Sequence, residues 1–462
     1  MVRPPRFDSR ELFRYAPGYH GEPIKTHLDW SAYPGAGGGL QGAVEMCNNN
    51  GACRKLAGGV MCPSYRVTRD ERDVTRGRAN TLRLAITGQL GPNALTSDEM
   101  AQTLKLCVSC KACRRECPTG VDMARMKIEV QAARVAKYGL SLRDRLVGYL
   151  PRYAPYAARW PDLANLRDDK PRLKQWSETY AGLSTRRTLP RWRSDAWREP
   201  SRMPGADNAR AVVFFADTFN RYFEPENIEA ALGVLTAAGY GVHLPKPADG
   251  SSRPLCCGRT FLAVGLVEEA RSEAQRCVAA LAPLLARGMP VVGLEPSCTL
   301  GFRDELPALV KSDDARALAS NALLFEEFLA REAAAGTLDL RLKPVAKRAL
   351  LHGHCHQKSF GAMGATEAVL RLIPELAVET VESSCCGMAG AFGYGADTID
   401  VSLKMAELSL LPAVRKAEPD TLVLADGTSC RHQIKDGSGR DALHVARALA
   451  MSLNPSAAGA GI

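Results

Sequence analysis

Four cysteines in one short run constrain this chain more than any other feature. Cys107-Val108-Ser109-Cys110-Lys111-Ala112-Cys113-Arg114-Arg115-Glu116-Cys117-Pro118 reads C-x2-C-x2-C-x3-C-P. A cubane [4Fe–4S] cluster needs soft thiolates converging from several directions. Two-residue gaps wrap three sulfurs around one corner, and Pro118 stops the turn and points the fourth away. A zinc knuckle or a set of redox thiols would use the same residue types, but zinc sites usually separate their cysteine pairs by about a dozen residues or more. The spacing therefore predicts an iron–sulfur site, and the fold has to close a turn of backbone around those three sulfurs.

A degenerate copy precedes it. Met46-Cys47-Asn48-Asn49-Asn50-Gly51-Ala52-Cys53 is followed by eight residues and then Cys62-Pro63, so Asn50 stands where a middle cysteine belongs. In two-cluster ferredoxins the cysteine before proline in each motif ligates the other cluster. Cys62 is accordingly expected to complete the site of Cys107, Cys110 and Cys113. Cys47, Cys53 and Cys117 remain around a corner where Asn50 offers only an amide oxygen. Three readings stay open there: a [3Fe–4S] cluster, a second cluster with a non-cysteine ligand, or buried thiols without a cluster. A regular second cubane is not expected.

Fifteen cysteines, an odd number, follow a polar, basic, proline-broken start with no secretory apolar segment, which predicts reduced thiols in a cytoplasmic protein. No apolar run reaches the roughly 18 residues of a membrane span, so membrane contact is expected to be at most peripheral, at the inner face. The net charge of +10 is scattered and lacks any recognition-helix or RNA-binding signature, which argues against nucleic acid.

Residues 1–45 read as a glycine- and proline-rich lead-in. Its Gly37-x-Gly39-x-x-Gly42 matches the dinucleotide fingerprint by letter only, with no strand before it. Residues 46–140 read as a helical ferredoxin-type domain. It has a helix from Arg76 through Ile86, a capped start at Thr96-Ser97-Asp98-Glu99, and a helix from Val121 to Lys137 ending at Gly139. Residues 141–206 form an Arg/Trp/Pro-rich connector carrying Trp160, Trp176, Trp192 and Trp197. From 207 onward short β-branched runs alternate with helical segments, and the pattern occurs twice, over 207–340 and 341–455. Strands are expected at Ala211–Ala216, Pro290–Leu294, Ala349–Leu351, Ala377–Val381 and Thr421–Ala425, with helices at Pro225–Gly239 and Phe261–Gly288. Cys257 precedes Cys386 by 129 residues and Cys298 precedes Cys430 by 132, the spacing of an internal duplication. The fold class is thus multidomain α+β: a helical ferredoxin-type domain followed by two duplicated α/β repeats.

A degenerate then an intact ferredoxin motif, Arg76-Gly77-Arg78, and Cys256-Cys257-Gly258 echoed by Cys385-Cys386-Gly387 resemble the iron–sulfur proteins with cysteine-rich CCG domains. These include the iron–sulfur subunits of glycolate oxidase and anaerobic glycerol-3-phosphate dehydrogenase, lactate-utilisation proteins and heterodisulfide reductase subunits. MCNNNGACRK, MCPSYRVTRDE, TRGRANTLRLA and CVSCKACRRECPTGVDM are most similar to the C-terminal half of fused FAD-linked D-2-hydroxyacid dehydrogenases of the D-lactate and D-2-hydroxyglutarate type.

The resemblance implies an electron-transfer component with FAD only on a partner, relaying electrons from that flavoprotein to a quinone or carrier. The alternative it implies is a self-contained, heterodisulfide-reductase-like catalyst. The repeats depart from the fullest pattern of this family: Thr218 and Glu295 stand at cysteine positions of the first repeat and Gly427 at one of the second. A noncubane cluster is therefore not expected. Cys355, Cys385, Cys386 and Cys430 with His354 or His356 have the donors for a single tetrahedral metal, whereas Cys256, Cys257, Cys298 and Glu295 make a poorer set.

Overall fold

Short strands, most of them apolar and buried on both faces as parallel strands usually are, frame the C-terminal half. In β1 (Arg210–Phe215), Val212 and Phe214 enter one apolar layer, and Val213 and Phe215 enter the layer on the opposite side. β1 lies between β2 (Tyr240–His243) and β3 (Val291–Gly293), with β4 (Ala322–Leu324) beyond β3, all parallel. Val212 pairs with Val242, and Val213 with Val291. A second parallel sheet places β5 (Lys347–Leu351) between β6 (Leu376–Thr380) and β7 (Leu422–Leu424). This computed structural model describes residues 21, 24–33, 38–201, 203, 208 and 210–454. Most of the 1–45 lead-in, Gly37 included, and the 204–207 boundary lie outside the described residues.

In each sheet the chain runs from the first strand to one side and returns on the other, so strand order reverses between β1 and β3 and between β5 and β7. Open α/β sheets use the crevice beyond the carboxyl ends at such points. Asp217 and Glu295 follow β1 and β3; His352 and Asp426 follow β5 and β7. The sheets share one helical layer. Ile228 and Leu235 of Pro225–Ala237, Phe328 of Phe325–Ala334, Val369 of Met363–Leu370 and Leu449 of Val445–Met451 belong to a single buried cluster.

Five strands lie within two residues of their expected ends. β2 and β4 were not expected, because four residues with a central glycine and three residues between two helices are too short to show a period of two. The expected helix over 261–288 is two helices, Arg259–Ala263 and Val267–Leu285. Gly265 divides them at φ +82, and a Cβ there would meet the carbonyl carbon of Gln131 at 2.6 Å. That close approach lays the helix Met123–Tyr138 of the N-terminal domain against the first sheet's unit.

The N-terminal helices follow the sequence signals. Ser97 caps Asp98–Lys105 by accepting the Met100 N–H at 3.1 Å, and Gly139 ends Met123–Tyr138 at φ 76. The connector is helical over Leu142–Gly148, Leu150–Ala157, Pro161–Asp169 and Pro171–Ala181, with proline in the first turn of the last three. It touches both sheets' units. Trp192 packs on Phe223 with ring centroids 4.7 Å apart, while Ser184 donates its N–H to the Tyr394 carbonyl at 2.7 Å. Trp197 is buried, whereas Trp160 and Trp176 are exposed. No described helix is long and apolar enough to cross a membrane.

Buried charge fixes the N-terminal domain to the first unit. Lys111 Nζ lies 2.6 Å from Asp304 and 2.5 Å from Glu305, all three nearly inaccessible. Arg125 reaches Asp304 at 3.0 Å, and Arg114 also pairs with it. Burial alone would raise the Asp304 carboxyl; Lys111, Arg125 and Arg114 override it and hold it well below the usual range. Its contribution to stability is thus complete above a pH of about 4 and is lost on acidification below that. Asp304→Ala leaves Lys111 beside a single remaining carboxylate. Chemical unfolding of the variant is expected to show a loss of about 3–5 kcal/mol, with Asp304→Asn milder because the amide keeps one hydrogen bond.

Candidate iron–sulfur site

The loop 107–113 turns sharply because Ser109 and Lys111 adopt left-handed conformations, φ 49 and φ 62. That curls Cys107, Cys110 and Cys113 around one cavity. Cys62 arrives from the other motif as the N-cap of Pro63–Thr68. Glu116, inside the intact motif, draws it in by accepting the Val60 N–H at 2.6 Å and the Met61 N–H at 3.2 Å. The eight-residue insertion before Cys62 supplies both donors. The cavity is lined by these four cysteines together with Met61, Arg78 and Met123.

The donor set suits a cluster better than an ion. One tetrahedral zinc bound through sulfur would bring its thiolates to within about 4 Å of one another. Among the described residues, the groups with ligand atoms within 4.8 Å are His352–Cys386–Cys430 and Glu326–Asp426–His444, and the four cysteines of the cavity are not among them. Burial pushes the Cys110 and Cys113 thiols well up, with Cys355 acting on the first and Asp122 on the second as like charges. Thiolates in such a place need a metal to hold their charge. Arg78, buried, supplies further compensation: its Nη1 lies 3.6 Å from Cys62 Sγ, while Nε donates to the Thr103 carbonyl at 3.0 Å.

Cys47, Cys53 and Cys117 lie outside the cavity lining. Cys117 is half-buried with Thr119 Oγ1 at 3.3 Å, and Cys53 is buried. Asn50 is exposed, and its amide is engaged locally: Oδ1 accepts the Ala52 N–H at 2.9 Å and Nδ2 donates to Asn48 at 2.5 Å.

The cluster loop is covered by the second sheet's unit. His356 Nε2–H donates to the Ser109 carbonyl at 3.1 Å, Ser359 to the Cys110 carbonyl at 2.8 Å, and Ser384 to the Val60 carbonyl at 2.5 Å. Directly behind these contacts lies a second thiol centre. Cys355 begins the helix Cys355–Phe360, Cys385 and Cys386 follow β6, and Cys430 lies in Thr428–Ser438. Gly387 sits at φ +85, where a Cβ would come 2.2 Å from the Ser402 carbonyl oxygen, so the pair of cysteines is followed by glycine of necessity. The thiols hydrogen-bond in a row. Donation from Cys385 brings Cys355 down to about 6 against its burial, and donation from Cys385 and Cys430 holds Cys386 well below its ordinary value.

The histidine brought to these sulfurs is His352, which the sequence reading passed over. Its Nδ1 is 2.9 Å from Ser383 Oγ, it faces Cys386 and Cys430, and burial with Lys358 nearby brings it down to about 4 against the pull of Cys386. The expected His354 and His356 are not in the close group. His354 Nδ1 accepts the His356 N–H at 3.2 Å as a helix cap, and His356 Nε2 serves Ser109. At Gly427 a Cβ would meet the His354 ring at 2.4 Å, so the ring fills the space a cysteine there would take. In the first unit Cys256, Cys257 and Cys298 also hydrogen-bond in a row, but with Glu295 they do not make a group as tight as His352, Cys386 and Cys430. Glu295 Oε2 instead accepts the Thr428 N–H across the seam at 2.9 Å.

The fold is of mixed α/β architecture, and its N-terminal cavity gathers four cysteines with the donors an iron–sulfur cluster needs. Residues 43–121 match the 4Fe-4S dicluster domain family. The chain is 26% identical over 462 aligned residues to D-2-hydroxyglutarate dehydrogenase of Escherichia coli (strain K12), covering 88% of this chain and 43% of that protein. It is 28% identical over 333 residues to a subunit of the anaerobic glycerol-3-phosphate dehydrogenase of the same organism, covering 70% of this chain and 81% of the relative. It is 24% identical over 402 residues to the glycolate oxidase iron-sulfur subunit of that organism, covering 83% and 88%. The resemblance drawn from the motifs holds, and the chain spans less than half the length of the D-2-hydroxyglutarate dehydrogenases it matches.

Replacing Cys110 with Ser is expected to abolish most of the brown absorbance and the iron, about four per chain, of anaerobically purified protein. Cys117→Ser, outside the cavity, is expected to retain them; iron analysis of the two variants decides between this ligand set and one centred on the contiguous motif.

Proposed function

We propose that this chain is the electron-transfer component of a FAD-linked D-2-hydroxyacid dehydrogenase, with the flavin on a partner subunit or domain and a quinone or carrier as acceptor. The observation that carries this reading is the cavity bounded by Cys62, Cys107, Cys110 and Cys113, in a chain whose relatives are oxidoreductases of hydroxyacids and glycerol-3-phosphate. A [4Fe–4S] cluster held by those four thiolates supplies one-electron storage and transfer. Arg78 stabilises negative charge on Cys62, and the buried loop keeps water from the sulfurs. His356 and Ser359 join the loop to the second thiol centre, which makes that centre the natural next station for electrons.

Residues 46–140 are read as the cluster domain, 141–206 as the connector, and 207–340 and 341–455 as two copies of one unit. The duplication is supported by corresponding positions: a Cys-Cys-Gly after the second strand of each sheet, and Cys298 and Cys430 on helices after β3 and β7. The thiol row of Cys355, Cys385, Cys386 and Cys430 favours one second reading, disulfide chemistry by this chain alone. Steady-state assays separate the two. The chain alone is expected not to oxidise D-2-hydroxyacids and to reduce an acceptor only when a cognate flavoprotein is added; disulfide reduction without one would favour the second reading.

At the degenerate motif the exposed Asn50 offers iron a poor ligand, so that corner is read as empty or as a [3Fe–4S] site. Asn50→Cys is expected to raise the iron content toward about eight per chain. Low-temperature electron paramagnetic resonance showing two interacting cubanes in unaltered protein would contradict the reading.

A further inference from the structure

Glu326, the second residue of the helix Phe325–Ala334 that follows β4, is fully buried, and neither of its carboxylate oxygens has a hydrogen-bond partner. An ionised carboxylate in that position is costly. Protonation would remove the charge but would still leave both oxygens without a hydrogen bond at the distances present. Two further ligand groups converge on it from the second sheet's unit: Asp426, just beyond β7, and His444, the N-cap of Val445–Met451. One ligand atom from each of the three lies within 4.8 Å of the other two, and all three side chains are buried.

The surroundings orient all three groups, and they leave spare lone pairs on the carboxylates though not on the imidazole. Asp426 Oδ2 accepts Gln357 Nε2–H at 2.6 Å and Oδ1 accepts the Val445 N–H at 3.1 Å, which leaves lone pairs on both oxygens. His444 Nε2–H donates to the Leu294 carbonyl at 3.3 Å, which puts the lone pair on Nδ1, 3.6 Å from Asp426 Oδ1. A carbonyl on the far ring nitrogen is the usual outer partner of a metal-bound imidazole. Nδ1 also accepts the Ala446 N–H at 3.0 Å, a contact that metal binding would have to displace.

We propose that Glu326, Asp426 and His444 bind one divalent first-row cation of the manganese or zinc type, which clamps the first unit to the second. Two hard oxygens and one imidazole suit such an ion, and no thiolate takes part. The ion neutralises the buried charge of Glu326. Through Asp426 it also steadies Gln357, on the helix that carries Cys355, His356 and Ser359 to the cluster loop.

The test uses the whole chain expressed in medium supplemented with manganese, washed with EDTA and analysed by mass spectrometry of its metals. About one manganese per chain is expected to survive the wash, because the ligands are buried. Glu326→Gln is expected to lower the retained manganese at least about tenfold while the cluster iron stays at its wild-type level. His444→Gln is the second variant, should the first fail to incorporate iron. Cys386→Ser is expected to leave manganese unchanged, which separates this site from the thiol centre. Wild-type protein that retains neither manganese nor zinc after loading would overturn the proposal and assign Glu326 a water or a proton. Wild-type retention by both variants would overturn it equally.

Discussion

The ammonium of Lys111 is the point on which the architecture turns. It sits in the cluster loop between Cys110 and Cys113, is nearly inaccessible to water, and has its counter-charges, Asp304 and Glu305, almost two hundred residues later in the chain. An uncompensated ammonium in that position would be strongly unfavourable. The turn that gathers three cysteines is therefore stable only when the first α/β unit is folded against it. The close approach of Gly265 to Gln131 works in the same direction, since it admits no side chain between the helix Met123–Tyr138 and that unit. The ferredoxin-type domain is in this sense completed by the rest of the protein.

What was legible in the sequence is what local spacing determines. The C-x2-C-x2-C run, the cap at Ser97, the stop at Gly139 and most strands are encoded by near neighbours, and they lie where the sequence places them. Cys62 could be assigned to the distant site because motif pairing is itself a spacing rule. His352 was hidden for the opposite reason. In His352-Gly353-His354-Cys355-His356 three imidazoles alternate, and only the tertiary fold shows that the one ending β5 meets Cys386 and Cys430 while the others cap a helix and hold a carbonyl. Glu326, Asp426 and His444 carry no motif at all. The only hint in the sequence is that each follows a strand or starts a helix.

The two α/β units differ in what their loops do. In the second, the loops after β5, β6 and β7 gather sulfurs and one imidazole into a buried group whose thiols share charge along a row. In the first, the Glu295 carboxylate accepts a backbone N–H of the other unit. Asp217 belongs to the same seam: buried near Glu295, its carboxyl is pushed up to about 6 by burial first and by that neighbour second, while it caps the helix Thr218–Tyr222.

The lid over the cluster loop comes from much later in the chain than the ligands. The carbonyls of Ser109 and Cys110 are bonded by residues 247 and 249 positions downstream. During synthesis, which proceeds at about 5–20 residues per second, all four cysteines leave the ribosome many seconds before His356 and Ser359 exist to cover them. For that interval the thiols are open to iron donors and equally open to oxidants. The ligands and their cover are thus separated in time by the order of the chain itself.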